Sequence, residues 1–231
     1  MAIRVIRGYR TISFEAASLL AGTPPWDLEA EALSRLYWWR KEAQERGLDP
    51  EPRVIEAIHA QLRRDTVVEW KDRLGQPSAG HAVVAAVRPV MEDWLERPHG
   101  GLSYRLTQVI SGKGCFGDHL CLIRKEPTPE CHHCDADEDS GLHTLAECPA
   151  WEVPRQALLA ALGVGVLTLP VLIAAMVQSA DAWSAAASFC EQVMLEKEAA
   201  ERVRERLHRA LPNGGGRGRL RRRRSNDLRP P

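Results

Sequence analysis

Four potential metal ligands, Cys131, Cys134, His143 and Cys148, lie within eighteen residues of this chain. Their spacing is C-x2-C-x8-H-x4-C. Structural zinc is held by four nitrogen or sulfur ligands arranged as a tetrahedron. The CxxC turn would present two thiolates on one side of the metal, and the short spacer before Cys148 would bring His143 and Cys148 to the other side. The spacing therefore predicts a zinc knuckle, with Zn²⁺ as the cofactor.

The competing interpretations are a disulfide or four unrelated residues. Residues 1–4 (MAIR) open no apolar signal segment, so we expect an intracellular protein in which thiols stay reduced. The most apolar stretch, residues 158–177, is interrupted by Gly163, Gly165 and Pro170. It reads better as two short buried helices than as a membrane span, so no membrane partner is expected.

Other histidines and cysteines are weaker candidates for metal ligands. His132 and His133 lie inside the CxxC turn, where we expect their rings to point outward. A second set holds three candidates among apolar neighbours and is interpreted as part of the core. These residues are Cys115, His119 and Cys121. Cys190 is expected to pack on a long helix.

The net charge of zero hides a strong asymmetry. Residues 201–231 contain eleven arginines and three acidic residues, so they carry +8 and residues 1–200 carry −8. The tail arginines are Arg217, Arg219, Arg221, Arg222, Arg223 and Arg224. They follow three glycines, a composition typical of a disordered arm that binds phosphates. A nuclear-import signal would look the same, so a nuclear location is expected, and a merely solvated tail stays open.

The predicted knuckle is acidic, and no Lys or Arg lies between residues 126 and 147. We interpret its densest acids as a solvated spacer, namely Asp135, Asp137, Glu138 and Asp139. Such a loop should repel a nucleic-acid backbone, so the knuckle should staple the fold or touch protein. Basic residues on either side are the better phosphate candidates, namely Arg105, Lys113, Arg124 and Lys125. Surface charge without function is the alternative for these four.

Apolar periodicity and helix-capping residues predict an all-α fold around the small C2HC knuckle. The predicted helices cover about 24–46, 52–74, 82–95 with a kink at Pro89, 104–110, 116–123, 151–162, 171–177 and 181–208. The expected organisation is a helical linker region (1–100), a knuckle module (101–150), C-terminal helices (151–211) and a disordered Arg/Gly-rich tail (212–231). The seven tryptophans, including Trp38, Trp39 and Trp94, could be base-stacking platforms, but their helical spacing favours core positions.

Three ordered blocks of the chain resemble the polyproteins of type-1 non-LTR retrotransposons. The first is YRTIS at 9–13 with the segment up to Pro25. The second is GGLSYRLTQV at 100–109 followed by GKGCFG at 112–117, and the third is PTPECHHC at 127–134 with HTL at 143–145 and CPAW at 148–151. The resemblance covers about residues 4–155 and matches the region that follows the polymerase, including its CCHC knuckle.

In that family the polyprotein carries an endonuclease and a reverse transcriptase, and this region is thought to help hold template RNA or target DNA. No Asp-Asp dipeptide of the polymerase occurs here, so we expect no catalytic residue and no independent enzyme activity. The resemblance implies a zinc-dependent nucleic-acid-binding module with RNA or DNA as partner, and with the polymerase part of a related polyprotein as a further partner. The alternative is a zinc-stapled helical protein-interaction module that uses the acidic knuckle and the long helix as contact surfaces.

Overall fold

A computed structural model describes residues 2–210, with side chains described up to residue 208, and it contains only helices and irregular segments over that range. The predicted all-α class is therefore confirmed. The helices are α1 (Ala2–Val5), α2 (Phe14–Ala21), α3 (Trp26–Glu45), α4 (Pro52–Arg73), α5 (His81–Val87), α6 (Met91–Glu96), α7 (Tyr104–Ser111), α8 (Gly117–Leu122), α9 (Glu152–Leu162), α10 (Leu169–Gln178) and α11 (Ala180–Ala210). Short 3₁₀ turns cover Arg88–Val90 and Pro149–Trp151, and a π-helical turn covers His143–Glu147.

Capping residues explain several helix boundaries. The Ser13 hydroxyl accepts from the Ala16 N–H at 3.2 Å to begin α2, and Ser103 does the same for Leu106 at the start of α7. Gly112 ends α7 in the left-handed region at φ 62°, a conformation that glycine adopts without steric strain. Pro89 breaks the predicted third helix into α5 and α6 through the 3₁₀ turn, as expected.

The apolar stretch 158–177 forms two separate helices, because α9 ends at Gly163 and α10 begins only after Thr168. Among the residues that the structure describes, no helix combines the length and the apolar character needed to cross a membrane.

The core lies where α7, α9 and α10 pack against α11 and α5 packs against α10. Leu172, Ile173 and Met176 of α10 are fully buried and belong to the same cluster as Val193 and Met194 of α11. Fully burying each such side chain stabilises the fold by about 1.5–3 kcal/mol. This cluster of buried side chains runs from Ile6 to Met194 and takes residues from the predicted linker region, knuckle module and C-terminal helices. The predicted domain division stays a prediction.

α3 and α4 form a helical hairpin beside this core. Leu28 and Leu36 of α3 are buried, but Leu33, which the same periodicity predicts to be buried, is 62% exposed. The tryptophans also divide. Trp94 is buried, as predicted, whereas Trp38 is exposed, so the core interpretation is wrong for that residue. Buried with Trp94 are Trp70, Trp151 and Trp183; Trp26 is exposed and Trp39 half-buried.

Candidate metal centre

The CxxC half of the centre is built by two backbone hydrogen bonds. The Cys131 N–H donates to the Ala136 carbonyl at 2.9 Å, and the Asp139 N–H donates to the Pro129 carbonyl at 2.8 Å. These bonds fold residues 129–139 back on themselves, so the two cysteines of the turn point the same way. Gly117 allows this loop to lie against the start of α8, because a Cβ there would meet the Pro129 carbonyl oxygen at 2.4 Å.

The His-Cys half is built by a π-helical turn. The Cys148 N–H donates to the His143 carbonyl five residues earlier at 2.8 Å, the bond that defines this wide turn. The sequence indicates only that the spacer is about one helical turn long. The π turn brings the His143 and Cys148 side chains to the same side of the backbone, facing the CxxC turn. π-helical turns are rare and are frequent at functional sites.

The four predicted ligands come together in one group. Their ligand atoms all lie within 4.8 Å of one another. The Cys131 and Cys148 sulfurs are 3.9 Å apart, and the Cys134 sulfur is 3.3 Å from Nε2 of His143. A tetrahedral ion with Zn–S of about 2.3 Å and Zn–N of about 2.0–2.1 Å would separate its ligands by about 3.5–3.8 Å. The group can therefore hold a metal ion. All its cysteines are free, and 3.9 Å excludes a disulfide, whose sulfurs lie about 2.05 Å apart.

A contact with Glu147 orients the His143 imidazole. Nε2 of His143 faces the cysteines, while Nδ1 lies 3.4 Å from a carboxylate oxygen of Glu147. A carboxylate on the far ring nitrogen selects the tautomer that leaves Nε2 free to coordinate a metal. Burial raises the pKa of the Cys148 thiol to about 12 and raises that of Cys131 as well. Both thiols are therefore neutral at pH 7 until a cation displaces their protons.

Asp139 corrects the interpretation of the acidic loop. It is 3% exposed, and both of its carboxylate oxygens lie 2.7 Å from the ammonium of Lys197 on α11. The same carboxylate accepts hydrogen bonds from the Gly117 N–H at 3.0 Å and the Thr144 hydroxyl at 3.1 Å. Asp139 is thus a buried anchor, whereas the other three acids of the loop are exposed, as predicted.

Arg155 of α9 is a second anchor that the sequence did not reveal. Its guanidinium is buried and donates to the carbonyls of Leu145 at 3.0 Å and Cys148 at 2.5 Å. It also pairs with Glu152 at 2.7 Å. Because Arg155 holds the carbonyls at the end of the π turn, α9 fixes the backbone that carries Cys148.

The remaining candidate ligands lie outside this group. The His132 ring is exposed, as predicted, but the His133 ring is half-buried against Trp151, with centroids 4.8 Å apart, so the outward prediction is wrong for His133. Within the described part of the chain, the three residues of the second set form no metal-binding group. His119 instead bonds to the Thr11 hydroxyl at 2.9 Å and to the Gly114 carbonyl at 2.8 Å.

The four predicted phosphate contacts fall into two pairs. Arg105 lies between Glu191 and Glu198, each at 2.8 Å, and these hydrogen bonds, first to Glu198 and then to Glu191, raise its pKa above the ordinary value. Lys125 lies between Glu201 at 3.0 Å and Glu205 at 3.1 Å. A phosphate would have to displace carboxylates at both positions.

Lys113 and Arg124 differ from that pair. They are half-buried and exposed, respectively. The lysines and arginines that form ion pairs in the described part of the chain do not include either of them. Their ammonium and guanidinium groups are therefore better placed to receive phosphate. The tail arginines from Arg217 to Arg224, and the predicted disordered tail, lie outside the described residues.

Comparison with known proteins places the chain beside retrotransposon proteins. It is 29% identical over 192 residues to the retrovirus-related Pol polyprotein from type-1 retrotransposable element R1 4 of Nasonia vitripennis, a match that covers 79% of this chain and 47% of the relative. The R1 Pol polyprotein of Bradysia coprophila is 28% identical over 155 residues, which are 62% of this chain and 15% of that protein. A 115 kDa protein in element R1DM of Drosophila melanogaster is 26% identical over 196 residues, which are 82% of this chain and 19% of the relative.

The chain thus spans less than half the length of each of these relatives. No protein-family model and no solved structure matches it. The resemblance predicted from the sequence blocks is confirmed. Over most of its length, the chain is a homologue of part of the Pol polyproteins of type-1 retrotransposable elements.

Proposed function

We propose that this chain is a zinc-dependent nucleic-acid-binding module related to retrotransposon Pol polyproteins. The group of Cys131, Cys134, His143 and Cys148 carries the proposal, because it lies in a chain similar to those polyproteins along most of its length. RNA and DNA are both candidate partners. The polymerase part of a related polyprotein is a further candidate.

Zinc is the metal that this donor set favours. Three thiolates and one imidazole are soft and borderline ligands, which select zinc over magnesium or calcium. Four protein ligands close the coordination sphere, which is typical of a structural rather than a catalytic site. The metal would connect the CxxC turn to the π turn and hold the knuckle against α8 and α9.

Basic side chains outside the knuckle would attract the nucleic acid. Lys113 follows α7 and Arg124 follows α8, so both sit on short segments that lead into the knuckle. The tail arginines would add contacts that do not depend on base sequence, because flexible arginines read phosphates rather than base edges. The metal would contribute indirectly, by ordering the segment that carries these groups.

The test combines metal analysis with binding. Freshly prepared, thiol-reduced protein should contain one zinc per chain, and its affinity for short RNA or DNA should fall when a chelator removes the metal. Cys134→Ser should lose both zinc and binding. The matched control is Cys121→Ser, which changes a half-buried cysteine outside the group. Zinc-free protein that binds with full affinity would refute the zinc-dependent role.

The second candidate function is a protein-interaction module, and the exposed face of α3 favours it. Trp26, Leu33 and Tyr37 follow one another at helical spacing and are 74%, 62% and 59% exposed. An apolar interface of this kind should change little with salt, whereas phosphate binding weakens steeply as salt rises. The way in which affinity for the first detected partner changes with salt concentration therefore distinguishes the two functions.

We also propose that the module binds without catalysing polymerisation or cleavage. Polymerisation by two metals needs carboxylates that converge on both ions. In the acidic loop, Asp139 forms a buried ion pair with Lys197, and Asp135 and Asp137 are exposed to solvent. Primer extension with Mg²⁺ or Mn²⁺ should give no product. Extension that is abolished by replacing Asp135 and Asp137 with alanine would overturn this proposal.

A further inference from the structure

The N-terminal segment, residues 2–14, carries three arginines and no acidic residue. Its side chains follow a period of three. Ile6 and Ile12 are buried and Tyr9 is half-buried, so these residues face the core. The arginines at 4, 7 and 10 alternate with them and are all exposed. We call these three residues, Arg4, Arg7 and Arg10, the arginine ridge.

The ridge stands on a firmly attached backbone. The Thr107 hydroxyl of α7 donates to the Ile6 carbonyl at 2.6 Å, and the Thr11 hydroxyl lies 2.9 Å from Nε2 of His119 on α8. The Tyr9 ring packs edge-on against the His119 ring, with centroids 5.4 Å apart. These contacts fix the backbone that carries the three arginines. Because the backbone is already ordered before a ligand arrives, less entropy is lost on binding.

No carboxylate neutralises the ridge within the described part of the chain. The arginines that form ion pairs there are Arg35, Arg46, Arg73, Arg105, Arg155, Arg202 and Arg204, and none belongs to the ridge. The contrast with Arg105, which lies between two glutamates, is clear. The guanidinium groups of the ridge keep their donors available for an anion.

Arg7 occupies a backbone conformation that favours glycine. Its φ is +54°, and it follows α1 at the position where the Gly8 N–H donates back to the Ile3 carbonyl at 3.0 Å. Glycine is the usual residue at this position after a helix, because a side chain there is strained. An arginine at a strained, exposed position is better explained by a contact with a ligand than by the stability of the fold.

An aromatic platform lies next to the ridge. Tyr104 is 40% exposed and stacks on Tyr9 with centroids 5.7 Å apart and an interplanar angle of 30°. Their hydroxyls are 2.6 Å apart, so the two rings hold each other in place. A partly exposed, immobilised ring beside arginines is the combination that binds single strands, in which bases stack on aromatic rings while basic groups contact phosphates.

We propose that the arginine ridge and Tyr104 bind the sugar-phosphate backbone and a base of single-stranded nucleic acid. This inference rests on the proposed function and names a surface for it that is separate from the knuckle. An anionic lipid surface is the competing occupant, because Val5 and Phe14 of this segment are 58% and 61% exposed while Ile6 and Ile12 are buried. The partly exposed Tyr104 ring, held against Tyr9, favours a single strand, whose bases stack on aromatic rings.

The test compares two triple variants of the zinc-loaded full chain. The first is R4Q/R7Q/R10Q. The second, R40Q/R53Q/R63Q, removes the same charge from three exposed arginines of the α3–α4 hairpin. Binding of a fluorescent single-stranded oligonucleotide is measured by polarisation as salt is varied. Each phosphate contact to a single strand contributes about 0.7 to the slope of log affinity against log salt concentration.

The ridge variant should therefore lose about 2 from the slope and about 100-fold in affinity at about 0.1 M salt, with the hairpin variant much closer to wild type. Equal losses in the two variants would overturn the ridge while leaving the proposed function standing. A wild-type chain that binds no oligonucleotide would instead refute the proposed function itself. A third outcome is that the wild-type chain binds anionic phosphatidylserine vesicles but not the oligonucleotide, and that the ridge variant loses the vesicle binding. That result would assign the ridge to lipid and overturn the nucleic-acid proposal.

Arg7→Gly separates a binding role from a structural one. Glycine relieves the positive φ, so the melting temperature should rise while affinity for the oligonucleotide falls. A variant that melts at a lower temperature and binds as wild type would show that Arg7 serves the fold, and would remove it from the ridge.

Discussion

Replacing Lys197 with methionine should destabilise the protein by about 3–5 kcal/mol, because it leaves a buried carboxylate without its counter-charge. Lys197 is 2% exposed, and its ammonium lies 2.7 Å from both oxygens of Asp139. Without the ammonium, that carboxylate keeps only the Gly117 N–H and the Thr144 hydroxyl as donors. Methionine has a similar length and no charge, so the substitution removes the ion pair with little change in volume.

The chain contains a matched control for this substitution. Lys71 and Glu92 are also 2.7 Å apart, but their side chains are 30% and 50% exposed. Ion pairs exposed to solvent contribute about 0–1 kcal/mol. Lys71→Met should therefore cost less than about 1 kcal/mol. The two substitutions differ mainly in burial, so the difference between them measures what burial adds.

The assay is thermal unfolding of the zinc-loaded protein, followed by circular dichroism. For a chain of this size, each kcal/mol shifts Tm by about 2–4 °C, so Lys197→Met should lower Tm by about 6–20 °C. Equal effects of Lys197→Met and Lys71→Met would refute the reasoning, since the Asp139 carboxylate would then be solvated in solution.

Three further predictions concern the metal centre. Glu147→Ala should weaken zinc binding about 10–100-fold, measured by competition with a chromophoric chelator, because the His143 ring loses the carboxylate that orients it. Burial raises the pKa of Cys148 to about 12 and also raises that of Cys131. Zinc must therefore displace protons, so its affinity should fall as pH is lowered from 8 to 6, and calorimetry in buffers of different ionisation enthalpy should count the protons released. Arg155→Met should cost about 1–3 kcal/mol for each carbonyl left unpaired, read from urea midpoints against Arg206→Met, which changes an arginine outside the described ion pairs.

Local signals in the sequence predicted the helices and the grouping of the four candidate ligands well. Helix ends depend on residues a few positions apart, such as Ser103 with Leu106, and Pro89 disrupts its own helix. The ligand spacing is local too, because all four ligands lie within eighteen residues. The π turn between His143 and Cys148 is the exception, since the spacing of two ligands does not say which helical turn joins them.

Contacts between distant residues were harder to predict. Asp139 looks like part of a solvated acidic loop because its partner lies 58 residues further along the chain. A signal was present on α11, where the buried residues Cys190, Val193 and Met194 continue to Lys197 at helical spacing. A lysine on the apolar face of a helix needs a buried acid. Trp38 shows the converse limit, because helical spacing defines a face of α3 but not whether another element covers it.

The charge pattern is compatible with an acidic knuckle in the proposed nucleic-acid-binding module. Asp139 pairs with Lys197, and Glu126 pairs with Arg204 at 3.1 Å, so two knuckle acids are neutralised by α11. Lys125 reaches across to Glu201 in the opposite direction at 3.0 Å. The knuckle and α11 therefore form ion pairs in both directions along their contact, and each fixes the position of the other. A metal that orders the knuckle would also position α11, the helix that precedes the arginine-rich residues 217–224 in the chain. In the proposed function, zinc acts on nucleic-acid binding by ordering the segments beside the knuckle and by positioning α11, while Lys113, Arg124, the arginine ridge and the tail make the contacts.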